Sequence, residues 1–287
     1  MYFLSRRKKR RNQVQKKISM ADSNSIKLVP SNFQHVGARE TQEDAFAFSD
    51  MENLELSNTK GVLAVVADGM GGLSFGEEAS RVAVQTFLKE FTRNNSLESV
   101  SHCLSRALII ANASVFDLAY QDGQELDIGT TLTAAVIFKN ALYWISVGDS
   151  RIYLYRNGKL TRLSRDHIYL NHLIEDVNNG KITMSQAKNN PEGRYLTSHL
   201  GLLEIPEVDQ SNDPLLLIPG DLVLLCSDGL YNTLSNQEIT ELLDCLEENS
   251  KENIAENLVR KVLSKNKRHQ DNITVVVLSC QSEDSRY

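Results

Sequence analysis

Between Thr130 and Tyr155 the chain lays down three apolar runs with little chain to spare between them: Thr130–Phe138, Ala141–Val147 and Arg151–Tyr155. Only Lys139-Asn140 separates the first two, and Asn157-Gly158 follows the third. Two residues are enough for a hairpin turn, whereas a parallel crossover needs a dozen or more. These strands are therefore expected to pair antiparallel.

The flanking sequence fills in the layers. Val62–Ala67 is a short, continuous apolar run, the pattern of a buried strand, and Leu222–Cys226 and Ile273–Leu278 read as further strands. Gly76–Phe91 places Ala79, Val82, Ala83, Phe87 and Phe91 on one helical face. Leu97–Tyr120 repeats the pattern with Val100, Leu104, Leu108, Ala111, Val115 and Leu118. Ser235 with Glu238 forms a capping box that opens a third helix, and Lys251–Ser264 reads as a fourth. Paired helices around antiparallel strands predict an α+β layered fold. Residues 166–200 break the rhythm, with a polar helix at His167–Val177 and the punctuators Asn178-Asn179-Gly180 and Asn190-Pro191. They read as an inserted surface subdomain or lid.

Composition narrows the class. Of 287 residues 41% are hydrophobic and 24% charged, enough apolar surface for a sizeable core and too much for global disorder. The longest apolar run, Val62–Ala67, falls far short of the ~18 residues of a membrane span. The basic start is followed by polar Asn12–Lys17 rather than an apolar stretch, so an export signal is not expected and a cytoplasmic location is.

Residues 1–19 hold eight Lys or Arg and no acid. The net charge is −6; removing those eight leaves 23 basic against 37 acidic residues, a balance of −14. Residues 1–25 read as a disordered basic tail, either a tether to nucleic acid or an anionic membrane or a solvated extension. The acidic remainder, residues 26–287, is a poor partner for nucleic acid. Cys103, Cys226, Cys245 and Cys280 lie far apart, which predicts reduced, mostly buried thiols and no zinc site. The six histidines show no metal spacing. Gly69-Met70-Gly71-Gly72 lacks the spacing and the Lys-Ser/Thr of a phosphate loop.

The chemistry lies in the acids. Asp68 follows Val62–Ala67, Asp149 follows Leu142–Gly148, Asp228 follows Leu222–Ser227, and Asp271 precedes Ile273–Leu278. In antiparallel sheets such boundaries fall on one edge, so the four carboxylates can gather there. Clustered carboxylates raise one another's pKa unless a cation neutralises them. Oxygen-only donors favour Mg²⁺ or Mn²⁺. The glycines after Asp68 and Asp228 fit a close approach of backbone to an ion or substrate. Arg39, Glu43 and Asp44 precede Ala45–Phe48; Arg39 carries a fork suited to phosphate, while the two acids can extend a metal site or orient its waters.

In this order, Gly37-Ala38-Arg39 through Glu43-Asp44-Ala45, Val66–Gly72, Ile128–Leu132, Val147–Arg151, Leu225–Leu230 and Asp271–Val275 resemble the PP2C-like (PPM) metal-dependent serine/threonine protein phosphatases of bacteria. The resemblance spans nearly the whole chain after the tail and implies a four-layer αββα sandwich with a metal site at one end. It implies that Asp68 bridges two Mn²⁺ or Mg²⁺ ions and that Asp228 and Asp271 complete the first ion's set. The Gly69 carbonyl would bind the second ion, with Glu43 and Asp44 around that ion and the attacking water. Arg39 would bind phosphate, and Asp149 with Asp228 would hold a third, weaker ion. Residues 166–200 would be the family's flap.

The implied reaction is in-line attack of a metal-activated water on phosphoserine or phosphothreonine, without a phosphoenzyme. A monomer acting on phosphorylated proteins, among them a Ser/Thr kinase or its substrates, is the expected setting. The alternative is a catalytically silent phosphatase-like module that binds or scaffolds phosphoproteins. Three positions depart from the family pattern: Gln42 replaces Asn, Met70 stands where eukaryotic members have a histidine, and Lys188–Pro191 differs from the usual His-Pro segment.

Overall fold

The computed structural model describes residues 26–71, 75–93, 98–121, 124–125, 128–247 and 253–282. The basic segment 1–25 and Gly72 lie outside them. Along the chain run β1 (Ile26–His35), β2 (Asp44–Phe48), α1 (Leu54–Thr59), β3 (Val62–Gly71), α2 (Phe75–Thr92) and α3 (Val100–Ala119). Next come β4 (Tyr120–Gln121), β5 (Gln124–Glu125), β6 (Ile128–Thr130), β7 (Leu132–Phe138), β8 (Ala141–Val147), β9 (Arg151–Arg156) and β10 (Lys159–Arg162). The inserted stretch carries α4 (Tyr169–Asn178) and α5 (Met184–Lys188) and is followed by β11 (Asp209–Gln210) and β12 (Leu215–Leu216). β13 (Leu222–Cys226), α6 (Asp228–Tyr231), α7 (Asn236–Glu247), α8 (Ile254–Ser264) and β14 (Ile273–Ser282) close the fold.

Two antiparallel sheets form the centre, one ordered β1-β14-β13-β9-β10 and the other β11-β8-β7-β3-β2, with β6 on β3 and β12 on β8. Both faces of the central strands are covered, which is why they are continuously apolar. Along β3, Val62, Ala64 and Val66 pack against Val223, Leu225 and Val276 of the opposite sheet. The alternate residues Leu63, Val65 and Ala67 meet Phe87, Phe91 and Leu104 of the α2–α3 pair. On the far side Tyr153, Leu224 and Val275 meet Ile239, Leu258 and Val262 of α7 and α8. The order of layers is α, β, β, α. Each fully buried Leu or Phe contributes roughly 1.5–3 kcal/mol of apolar burial to that order.

The turns follow their residues. Lys139 and Asn140 have φ of 50° and 59°, and Asn157 and Gly158 have 50° and 70°. Two successive positive φ values make the hairpin turn that matches strand twist. The Ser235–Glu238 box forms, with Glu238 N–H donating to Ser235 Oγ at 3.2 Å and Ser235 N–H to Glu238 at 2.9 Å.

Some boundaries differ from the sequence reading. Asp68 lies inside β3 rather than after it, because Gly69–Gly71 continue the strand by pairing with β6. The run Thr130–Phe138 is split at Thr131, whose N–H and hydroxyl turn to Asp68 instead. β1 carries Pro30 and polar Ser31 and Asn32, a sequence tolerated because β1 is an edge strand. Cys103, Cys226 and Cys280 are buried, and Cys245 is exposed. Among the described residues no helix is long and apolar enough to cross a membrane.

Candidate metal centre

β2 and β3 pair so that Asp44 stands opposite Asp68. β14 begins just after Asp271, and β13 ends just before Ser227-Asp228. The neighbouring strand ends therefore bring both sheets' acids to one end of the sandwich. Arg39, Glu43, Asp68, Asp149, Asp228 and Asp271 all line a single cleft of about 360 Å³, with Gly69 on its wall. Asp44 does not line it. It lies between the sheets, where its Oδ2 accepts hydrogen bonds from Ser227 Oγ and Thr274 Oγ1, both at 2.7 Å.

The electrostatics record the crowding. Burial and then the charges of Asp44, Asp228, Asp149 and Asp271 push the Asp68 carboxyl well above the usual range. Burial, with Asp149 and Asp271, pushes Asp228 up to about 7. Burial raises Asp44 to about 6 against the opposing hydrogen bonds of Thr274 and Ser227. Burial is also the leading cause at Asp149 and Glu43, both shifted upward. A cation would remove this repulsion.

Two buried carboxylate oxygens, Asp44 Oδ1 and Asp228 Oδ1, have no protein partner among the described residues. Orphaned acceptors in an all-oxygen acidic cluster fit a hard divalent ion. Among the described residues no three acidic, histidine or cysteine side chains form a closed ligand set as they stand. The hydrogen bonds give a reason: Asp271 Oδ2 is turned to Arg39 Nη2 at 2.7 Å, and Asp228 Oδ2 accepts from Asn232 at 2.8 Å.

The surrounding scaffold is tied to the acids. Thr131 Oγ1 accepts from Asp68 N–H at 3.0 Å, and Thr131 N–H donates to Asp68 O at 2.9 Å. Tyr231 O–H reaches both the carbonyl and Oδ2 of Asp149, each at 3.0 Å. The Arg151 guanidinium covers the Tyr231 ring at 3.4 Å. The glycines after Asp68 and Asp228 do allow close backbone approach, but the neighbour is other protein backbone. A Cβ on Gly69 would stand 2.0 Å from Gly76 O, and one on Gly229 2.0 Å from Asn272 O.

Several working residues were not singled out by the sequence. Asn272 clamps the loop carrying Arg39: its Oδ1 accepts from Glu43 N–H at 2.7 Å, and its Nδ2 donates to Val36 O and Thr41 O at 2.8 and 3.0 Å. Its sequence signal was its place in the Asp271–Val275 segment of the family resemblance, which assigned it no role. Residues 166–200 lie beside the cleft, and their Arg194 and Leu196 line it. They are anchored at both ends to site strands. His167 and Gly148 exchange hydrogen bonds at 2.9 and 3.1 Å next to Asp149, and Leu200 pairs with Thr130. Other histidines are occupied similarly, as where His35 Nδ1 accepts from Gly37 N–H at 2.9 Å.

Comparison with known proteins follows the same stretch. The family profile described as Protein phosphatase 2C matches residues 34–265. The chain is 32% identical to a serine/threonine phosphatase stp of Listeria welshimeri, covering 75% of this chain and 83% of the relative. It is 30% identical to protein phosphatase PhpP of Streptococcus pneumoniae, covering 82% and 93%. Among solved structures, the Mycobacterium tuberculosis phosphatase PstP/Ppp superposes with a TM-score of 0.70 at 27% identity, over 90% of this chain and all of that one. Staphylococcus aureus Stp1 gives 0.72 at 26%, over 88% and 95%. The PstP catalytic domain in complex with two manganese ions gives 0.66 at 27%, over 90% and 100%. The silent-module alternative draws no support from these relatives. Profile, relatives and four-layer architecture agree over one continuous region: the chain belongs to the protein phosphatase 2C family and is a metal-dependent protein serine/threonine phosphatase that uses Mn²⁺ or Mg²⁺.

Proposed function

We propose that the cleft holding Asp68, Asp228 and Asp271 is the dinuclear metal site of this phosphatase and that Arg39 binds the phosphate. The observation that carries this reading is the convergence of five acids with Arg39, from segments far apart in sequence, on one cleft. In this assignment Asp68, Asp228, Asp271 and the Gly69 carbonyl would hold two ions, with Asp68 serving both, and Asp149 with Asp228 would hold a third, weaker one. Bound there, the ions would supply a water acidic enough to act as nucleophile at neutral pH.

The chain's own groups then do the positioning. Arg39 presents its guanidinium to the equatorial phosphate oxygens, exchanging its contact with Asp271 for the substrate. Glu43, whose carboxyl lines the cleft, orients the attacking water. Asp44 supports it from behind, through Ser227 and Thr274 rather than by touching the substrate. Residues 166–200 act as the flap of a domain spanning 26–287, with residues 1–25 as a separate tail. The setting we infer is a cytoplasmic monomer acting on phosphorylated proteins, including a Ser/Thr kinase or its substrates, without nucleic acid.

The test is hydrolysis of a phosphothreonine peptide with Mn²⁺, with EDTA, and in Asp68→Asn. We expect turnover with Mn²⁺, none in EDTA, and a loss of about 10³-fold or more in the variant with its fold intact by circular dichroism. Full activity in Asp68→Asn would remove Asp68 from the metal site.

A further inference from the structure

Beside the metal cleft lies a second polar groove of about 330 Å³, which shares Arg194, Asp228 and Asp271 with it. Its remaining wall is built from Asn232, Thr233, Lys267, His269 and Gln270. The floor is fixed. Buried Gln270 donates to Gly229 O at 3.0 Å and accepts from Thr233 Oγ1 at 2.8 Å. Lys267 Nζ rests on the Asn232 carbonyl.

Charge sets this groove apart. Arg194 and Lys267 are exposed, and among the described residues neither is within ion-pair distance of a carboxylate. The groove's own acids each spend one oxygen on a protein partner: Asp271 Oδ2 on Arg39, and Asp228 Oδ2 on Asn232 of the groove wall. Unpaired cations beside the cleft are unexpected in a chain whose net charge is −6 and whose body is more acidic still. A phosphorylated segment seated in the cleft must leave it over a neighbouring surface, and this groove opens directly from the cleft wall.

We propose that the groove is a subsite for a residue flanking the phosphorylated one, and that it favours an anionic side chain there, either carboxylate or a second phosphate. The proposal rests on the phosphatase reading and adds a substrate preference to it. Arg194 reaches the groove from the inserted stretch and Lys267 from the loop before β14, so the anion would be held between the insertion and the core. Exposed charge pairs are weak and screened by salt, so the effect is a preference rather than a requirement.

The experiment compares kcat/KM on four phosphothreonine peptides whose flanks are neutral, basic, aspartate-containing, or carry a second phosphothreonine. It is run on the full chain with Mn²⁺, alongside Lys267→Ala and Lys267→Glu, with p-nitrophenyl phosphate as a substrate that cannot reach the groove. The anionic flanks should be favoured about two- to fivefold over neutral at low salt, with the advantage fading at high salt. Lys267→Ala should remove the advantage and Lys267→Glu invert it, while p-nitrophenyl phosphate turnover stays unchanged. A gain for only one of the two anionic peptides identifies which anion the groove takes. An unchanged preference in Lys267→Glu, no preference in the wild type, or equal loss on p-nitrophenyl phosphate in both variants overturns the subsite. Failure of the wild type on every substrate sinks the phosphatase reading and the subsite with it.

Discussion

Two arginine–aspartate pairs serve the cleft, and they differ in almost everything except their chemistry. Arg39 and Asp271 share a single contact of 2.7 Å, with side chains 57% and 38% exposed. Arg151 grips Asp166 with both arms at 3.0 and 2.7 Å, and Arg162 adds a third contact at 2.9 Å. That pair is only 19% and 7% exposed. Burial works against the Arg151 charge, yet the bonds to Asp166 hold its pKa above the ordinary value. An exposed pair is worth little and its partners can be traded for a phosphate or a cation. A buried pair cannot be opened without stranding a charge. The first pair is therefore suited to working contact with substrate, and the second to bracing Asp149 through Tyr231.

The largest effect should come from the brace. Arg151→Ala removes two of the three bonds to Asp166 and leaves it only the Arg162 contact, so urea unfolding should show a loss of about 3 kcal/mol. A loss below about 1 kcal/mol would erase the contrast between the pairs. Metal is the next lever. Mn²⁺ at a hundred times its dissociation constant should stabilise the wild type by about 2.7 kcal/mol, reversed by EDTA. Arg39→Ala should keep that gain and Asp271→Asn should lose most of it. Equal gains in both would mean that Asp271 does not exchange Arg39 for an ion.

On activity, Arg39→Ala should lower kcat/KM on a phosphothreonine peptide by about 10- to 100-fold, the worth of charged hydrogen bonds to phosphate. Its unfolding free energy should stay within about 0.5 kcal/mol of wild type. Unchanged kinetics would assign Arg39 to structure. Smallest of all, Tyr231→Phe deletes the bonds to Asp149 while keeping a ring beneath Arg151, and should cost about 1 kcal/mol. A cost as large as that of Arg151→Ala would move the bracing role from the ion pair to the hydroxyl.

Much of this was legible in the sequence because it is local. The limits of β8 and β13 follow from two-residue turns and apolar runs, and the helices from 3.6-residue periodicity. Arg39, Glu43, Asp68, Asp149, Asp228 and Asp271 stand out as charged residues at strand boundaries. What was hidden depends on pairing across the whole chain. Asn272 matters because Val36, Thr41 and Glu43 come to it. Arg194 matters because the inserted stretch is pinned at Gly148 and Thr130. Asp44 stands beside Glu43 in the sequence, but Glu43 ends the loop and Asp44 begins β2. Of the two neighbouring acids, the loop residue lines the cleft and the strand residue bonds across to the other sheet.

That inward turn of Asp44 has a mechanical meaning. Asp44 belongs to the sheet of β2 and β3, while Ser227 and Thr274, which hold it, belong to the other sheet. The proposed ligands are divided in the same way, with Asp68 on one slab and Asp228 and Asp271 at the strand ends of the other. An ion shared among them is a rivet through the sandwich, and Asp44 is the dowel that lines up the holes before the rivet is set. Shear between the slabs would pull the coordination apart at this end while leaving the hydrophobic interior almost untouched, so catalysis here is more sensitive to sliding than the fold itself.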